Sequence, residues 1–237
     1  MNEKKHTCVV VGCGGTGGWL TTCLTKMLNQ DDEIILMDAD TFEAHNRDRQ
    51  LHCKLGANKA DALKRALERA AKVTFTVVRE FLDEPTAEIK ALVTRRDPDI
   101  VTIFCGADNH RARLNTLKLA DDLGCHAVIC GNGYTDAEAY YYQFGWRNTE
   151  LDPRVFYPEL LSDTTGDPLS PPCTGEILES APQLALANMS AANYGMWLWY
   201  FWTQEAPKIT ADFAVECNPY FVSSSAGRMN LKCLKDA

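Results

Sequence analysis

The run Thr7-Cys-Val-Val-Val-Gly-Cys-Gly-Gly-Thr-Gly-Gly18 constrains this chain more than any other stretch. Cys8 to Val11 is a short apolar run of the kind that forms a strand buried on both faces. Gly12-x-Gly14-x-x-Gly17 comes at once after it, and Trp19 to Leu28 reads as an apolar-rich helix. In such a turn Gly12 permits the tight reversal, and Gly14, with Gly15 beside it, lets backbone N–H groups approach a phosphate. Gly17 lets helix and strand pack closely, and the phosphate rests on the positive end of the helix. A second apolar run, Ile34 to Met37, ends in Asp38, at the spacing where a carboxylate holds ribose hydroxyls. These features make a nucleotide site without saying which nucleotide.

The residues after Asp38 narrow the choice. Asp40 and the cluster Asn46-x-x-Arg49-Gln50 lie just beyond the ribose carboxylate. An Asn, an Arg and a Gln suit a place where charge develops on phosphate oxygens. Gly56-x-x-Lys59 opens another helix. The strand Ile100 to Cys105 runs into Asp108-Asn109, with Arg113 soon after. With these pieces in this order, the chain resembles the ThiF/MoeB/E1-like superfamily, enzymes that adenylate the C-terminal carboxylate of ubiquitin-like proteins. The resemblance covers roughly the first half of the chain, within the length of one Rossmann-type domain plus additions.

That resemblance implies ATP and Mg2+ as cofactors, Asp108 as the magnesium ligand, and Arg49 and Lys59 on the phosphates. Asn46 and Asn109 would hydrogen-bond the nucleotide. Gly12, Gly14, Gly15, Gly17, Asp38, Asp40 and Gln50 would complete the binding site. It also implies a crossover loop covering the adenylate, and here such a loop would end in Pro171-Pro-Cys173-Thr-Gly. Cys173 is then a nucleophile for a thioester or for persulfide transfer; the competing reading is one more semi-buried thiol. Many relatives carry paired C-x-x-C motifs for zinc. This chain has none, so no zinc is expected. The helical extension that carries a trans-acting arginine is also missing from the pattern, which leaves Arg154 as a stand-in. The second half looks most like compact ThiF-related proteins of the PRTRC type, whose natural substrate would be a small β-grasp protein.

Composition sets the wider limits. A net charge of −8 with no dense basic block argues against nucleic acid as partner. The ten cysteines are scattered through apolar strands and helices. With no signal-type segment before the first strand, a reducing, cytoplasmic setting is expected.

Element by element, the amphipathic stretch Ala57–Ala71 is a helix and Val73–Val78 a strand. Thr86–Arg96 is a helix after Pro85, Ala112–Leu123 another, and His126–Cys130 a strand. The alternation predicts an α/β, Rossmann-like, doubly wound and mostly parallel sheet with helices on both faces. Glu138–Phe144 turns antiparallel. From Arg147 to Pro172 no period persists, and Asp152-Pro, Asp167-Pro and Pro171-Pro172 interrupt any helix.

Gln183–Trp202 is a long apolar helix. Polar Gln183, Asn188, Ser190 and Asn193 at helical spacing favour burial by the sheet on one side and by a second subunit on the other, over a membrane span. Thr210–Val215, Tyr220–Ser223 and Met229–Cys233 read as short final strands. The expected organisation is a single adenylation domain over 1–237: a nucleotide-binding half (1–146), a crossover loop (147–180), and a C-terminal helix with strands (181–237).

The leading expectation is a homodimeric E1-like adenylyltransferase acting on a ubiquitin-like protein, with no membrane or nucleic-acid partner. An NAD(P)-dependent oxidoreductase and a non-catalytic nucleotide-binding scaffold remain as alternatives.

Overall fold

A computed structural model describes residues 5–52, 54–94, 100–162, 184–203, 209–210, 216–225 and 228–235. Its strands form one sheet in the order β3-β2-β1-β4-β5-β6-β8-β7, with β9 beside β8. β1 (His6–Val11), β2 (Glu33–Met37), β3 (Thr74–Val78), β4 (Ile100–Cys105) and β5 (His126–Asn132) run parallel. β6 (Ala137–Gln143), β7 (Ile209–Thr210), β8 (Glu216–Ser225) and β9 (Arg228–Lys235) are antiparallel additions. The expected α/β sheet with antiparallel strands in its C-terminal part is therefore what the chain forms.

β1 is central and wholly buried, which its unbroken apolar run requires. Val11 stands opposite Met37 on one side and Cys105 on the other, so the three strands end level. From β1 the chain proceeds outward to β2 on one side, while β4 lies on the other. Their carboxyl ends therefore flank the point where strand order reverses, the usual ligand crevice of such sheets.

Helix α1 (Gly15–Met27) begins earlier than its hydrophobic pattern, because the glycines that open it carry no side chain to reveal a period. Helix α2 (Lys59–Leu67) is shorter than the amphipathic stretch: Asn58 caps it, accepting the Asp61 N–H. α3 (Ala87–Thr94) and α4 (His110–Leu123) come next, with Asn109 capping α4 and Gly124 closing it in the left-handed conformation. Within the aperiodic stretch the chain makes a short helix α5 (Pro153–Phe156) and a 3-10 turn (Pro158–Leu161), each too brief to show a period.

Helix α6 (Ala185–Thr203) packs against α1, β5 and β6. Its inner stripe is small, and a Cβ on Gly195 would sit 2.5 Å from the Cys130 sulfur and 3.1 Å from a Val128 methyl, so glycine lets the helix lie this close to β5. Further along, Trp199 is fully buried with its ring against His6 and Phe104. The outer stripe is apolar but open: Leu186, Met189 and Trp197 are exposed, with Trp197 stacked on Phe201. Among the described residues no helix is long and apolar enough to cross a membrane.

β8 and β9 form a hairpin longer at both ends than the predicted strands, with a bulge between Pro219 and Phe221. Of the expected strand Thr210–Val215, residues 211–215 lie outside the described residues.

Candidate functional site at the strand ends

The glycine-rich turn is built by close approach. Gly12 holds φ +82°, and a Cβ there would lie 2.9 Å from the Ala107 nitrogen. A Cβ on Gly17 would overlap the Gly12 carbonyl, and one on Gly106 would crowd the Gly17 nitrogen at 2.8 Å. The turns after β1 and β4 therefore touch, which brings Asp108 beside the glycine-rich turn. Gly14 is the N-cap of α1 and contributes no side-chain hydrogen bond, so the first-turn N–H groups are left for another partner.

Asp38 braces this turn. Its carboxylate accepts from the Cys13 N–H at 2.6 Å and from the Asp40 N–H at 2.8 Å. Burial raises its pKa above the ordinary carboxylate value, opposed by nearby Lys59 and by those two N–H donors. Each oxygen retains a lone pair, so a ribose hydroxyl remains chemically acceptable there. Gln50 is buried behind the turn. Its Nε2 is 3.5 Å from where a Gly14 Cβ would project, and its Oε1 is buried without a hydrogen-bond partner. A buried amide oxygen left in this state costs about 1–3 kcal/mol, a cost that a ligand donor would remove.

The strap from β2 to α2 carries the remaining polar groups. Lys59 Nζ lies 2.9 Å from Asp40 Oδ2, with the lysine stem mostly covered and the carboxylate half exposed. Asn58 Nδ2 donates to the main-chain carbonyls of Asp38 and Asp40, pinning the strap to the strand end. Nothing in the nucleotide pattern pointed to Asn58; its place just before an amphipathic helix is the ordinary N-cap signal.

Asn46 is buried, and its Oδ1 accepts the Glu43 N–H at 3.0 Å. Arg49 is half-buried, with its main-chain carbonyl against Gly15. Arg47 and Asp48 point outward. Asn188, far away in sequence on α6, is buried directly over Gly15.

Beyond β4, Asp108 is exposed and makes no hydrogen bond or ion pair among the described residues. Next to it, Asn109 Oδ1 accepts the Ala112 N–H at 2.8 Å, so this side chain is first a helix cap. The structure thus brings together Gly12, Gly14, Gly15, Gly17, Asp38, Asp40, Gln50, Lys59 and Asp108 with the Asn46–Arg49 turn.

Arg154 stands apart from this group. It bonds Asp121 at 2.6 Å and Asp152 at 2.8 Å, and donates to Tyr142 Oη at 2.9 Å. Asp121 is near the far end of α4, so within its own chain Arg154 ties α5 to that end of α4. Cys173 and most of the expected crossover loop lie outside the described residues. Burial pushes the thiols of Cys8, Cys13, Cys105 and Cys130 upward, and Cys125 up to about 12, which makes them poor nucleophiles.

Known proteins share this fold. The ThiF family model matches residues 3–132. No curated protein matches the chain in sequence. Among solved structures, E. coli MccB with ATP is similar at TM-score 0.63 and 17% identity over 98% of this chain and 64% of its own. PaaA is similar at TM-score 0.66 and 19% identity, covering 96% of this chain and 72% of that one. The E. coli tRNA N6-threonylcarbamoyladenosine dehydratase TcdA is similar at TM-score 0.54 and 19% identity, over 81% and 82%. At these identities the likeness is one of fold. The chain spans just under two-thirds of the MccB chain, 64% of its length.

Proposed function

This chain belongs to the ThiF family, and on that premise we propose that it is an ATP-dependent adenylyltransferase. Its acceptor is the C-terminal carboxylate of a small ubiquitin-like (β-grasp) protein, and pyrophosphate is released. The observation that carries this reading is Asp108: an exposed carboxylate with no hydrogen bond or ion pair among the described residues, in the turn that packs against the uncapped N-terminus of α1. A phosphate chain satisfies the uncapped amides, and a magnesium ion takes one or two carboxylates plus phosphate oxygens, which a lone Asp108 suits.

ATP bound there supplies the AMP group. Adenylation asks little covalent chemistry of the enzyme; it asks for alignment and for neutralised phosphate oxygens. The α1 N-terminus and Gln50 hold the nucleotide at the turn, and Asp38 fixes the turn and accepts from the ribose. Arg49 and Lys59 neutralise phosphate charge, the first as a fork and the second as a point charge released from Asp40. Asp108 holds magnesium. Asn46 and Asn109 contribute their amide donors. Cys173, which precedes α6 in the sequence, displaces AMP from the acyl adenylate to form a thioester, or does so as a persulfide loaded by a separate sulfur donor. The chain works as one domain in the cytoplasm and as a homodimer, with the open apolar stripe of α6 as the partner-facing surface; nucleic acid and membrane have no part in this reading.

The test is to incubate the protein with Mg-ATP and a candidate β-grasp protein and weigh the partner by mass spectrometry. The expected result is an added AMP at the partner's C-terminus, lost in Asp108→Ala. Absence of the adduct, with partner binding unchanged in an Arg49→Ala, Asp108→Ala double variant, would favour a non-catalytic scaffold.

A further inference from the structure

The ends of β4, β5 and β6 hold a second set of polar atoms, on the α4 side of the sheet. Arg113 leaves the opening turns of α4, and its Nη2 lies 3.1 Å from where a Gly131 Cβ would project. The Arg113 Nε is buried without a hydrogen-bond partner, and the guanidinium makes no ion pair among the described residues. Glu138 faces the same spot, since it pairs with Gly131 and its Oε1 is 2.9 Å from the same Cβ position. Its other oxygen, Oε2, accepts the Tyr157 hydroxyl at 3.1 Å. Two residues along, on the same face of β6, Tyr140 is almost wholly buried, and its hydroxyl also lacks a partner. The Tyr140 ring packs against Phe156 and Tyr157, which fixes its orientation.

Two buried donor atoms without acceptors, the Nε of half-buried Arg113 and the Tyr140 hydroxyl, are costly to maintain. Their shared need is an acceptor oxygen, and for a guanidinium fork the best match is a carboxylate. Arg113 lies in the first turns of α4, about 6 Å along the helix from its cap Asn109, the residue after Asp108. Cys130 points into α6, where its sulfur lies under Gly195, so Gly131 and Arg113 lie on the opposite face of the sheet from the glycine-rich turn and α1. The phosphate-handling groups are therefore on one side of the strand ends and these donors on the other.

We propose that Arg113 and Tyr140 form the subsite that receives the carboxylate end of the acyl substrate, across the strand ends from the phosphates. Gly131 clears the space, and Glu138, held back by Tyr157, balances the guanidinium until the substrate arrives. This inference rests on the adenylation reading.

The test uses the full chain with an ATP analogue whose α,β-bridging oxygen is a methylene, and two probes, N-acetylglycylglycine and its C-terminal amide. Calorimetry is expected to show the acid binding the nucleotide-loaded protein at least about tenfold more tightly than the amide. Arg113→Met and Tyr140→Phe should each weaken the acid by a similar factor and leave analogue affinity unchanged. Because both variants remove unpartnered polar atoms, neither should lower the melting temperature, whereas groups with a structural role would lower it. Equal binding of acid and amide, no binding of the acid to the loaded wild type, or full acid affinity in Arg113→Met would each overturn the subsite. A fall in analogue affinity in Arg113→Met would overturn it too, by assigning the guanidinium to the phosphates. Failure of the wild type to bind the analogue at all would instead refute the adenylation reading on which the subsite rests.

Discussion

Gly17 is where side-chain size and backbone geometry meet most tightly, because its missing Cβ is what lets the Gly12 carbonyl lie against the helix. Gly17→Ala should therefore cost at least about 2 kcal/mol in chemical denaturation, as overpacking against rigid backbone does. A loss below about 0.5 kcal/mol would mean that the turn is looser than these contacts imply. A second residue-scale expectation concerns pH. His126 is half-buried beside the Tyr141 hydroxyl, 2.6 Å from its Nδ1, and this partial burial lowers its pKa. The unfolded chain then binds a proton that the folded one refuses, so stability should fall as pH drops below about 6.5, the ordinary histidine value. In His126→Asn the slope of stability against pH should flatten over that window; an unchanged slope would assign acid sensitivity to other groups.

The strap between β2 and α2 acts as an element. Asn58 caps α2 and ties it to the carbonyls that flank Asp38, so it sets the position of Lys59 from behind. Asn58→Ala should cost about 1 kcal/mol of stability and also weaken Mg-ATP binding. Asn58→Asp should restore the cap yet lose the two carbonyl bonds, so its stability should recover more than its nucleotide affinity. Much of this region was legible in the sequence. The glycine spacing, Asp38 and Lys59 all fall where expected, because strand, turn and helix leave local periods. Less visible was the double use of the asparagines. Asn46 and Asn109 both cap local turns, since a short polar side chain beside a helix start bonds the nearest N–H before any ligand arrives. Asn188 over Gly15, and the placing of Arg113 and Tyr140 in one region, were out of reach because they depend on how distant strands and helices pack.

For the whole molecule, the mostly parallel sheet could be read from the βα alternation, and the antiparallel turn at β6 from the alternating Glu138–Phe144 stretch. The reach of the final hairpin could not, because its strands pair with one another and with β6 and not with sequence neighbours of strong pattern. The outer stripe of α6 predicts self-association. Trp197→Glu should shift the protein toward monomer in sedimentation at micromolar concentration, and an unchanged mass would place any dimer contact elsewhere.

The central claim is that the strand ends hold Mg-ATP through Asp108. Its plainest test is calorimetric titration of the purified chain with Mg-ATP and with NAD(H), repeated on Asp108→Ala. The expected result is magnesium-dependent ATP binding that is lost in the variant, with NAD(H) ignored. Binding of NAD(H) with ATP ignored, or ATP binding indifferent to Asp108, would contradict the claim.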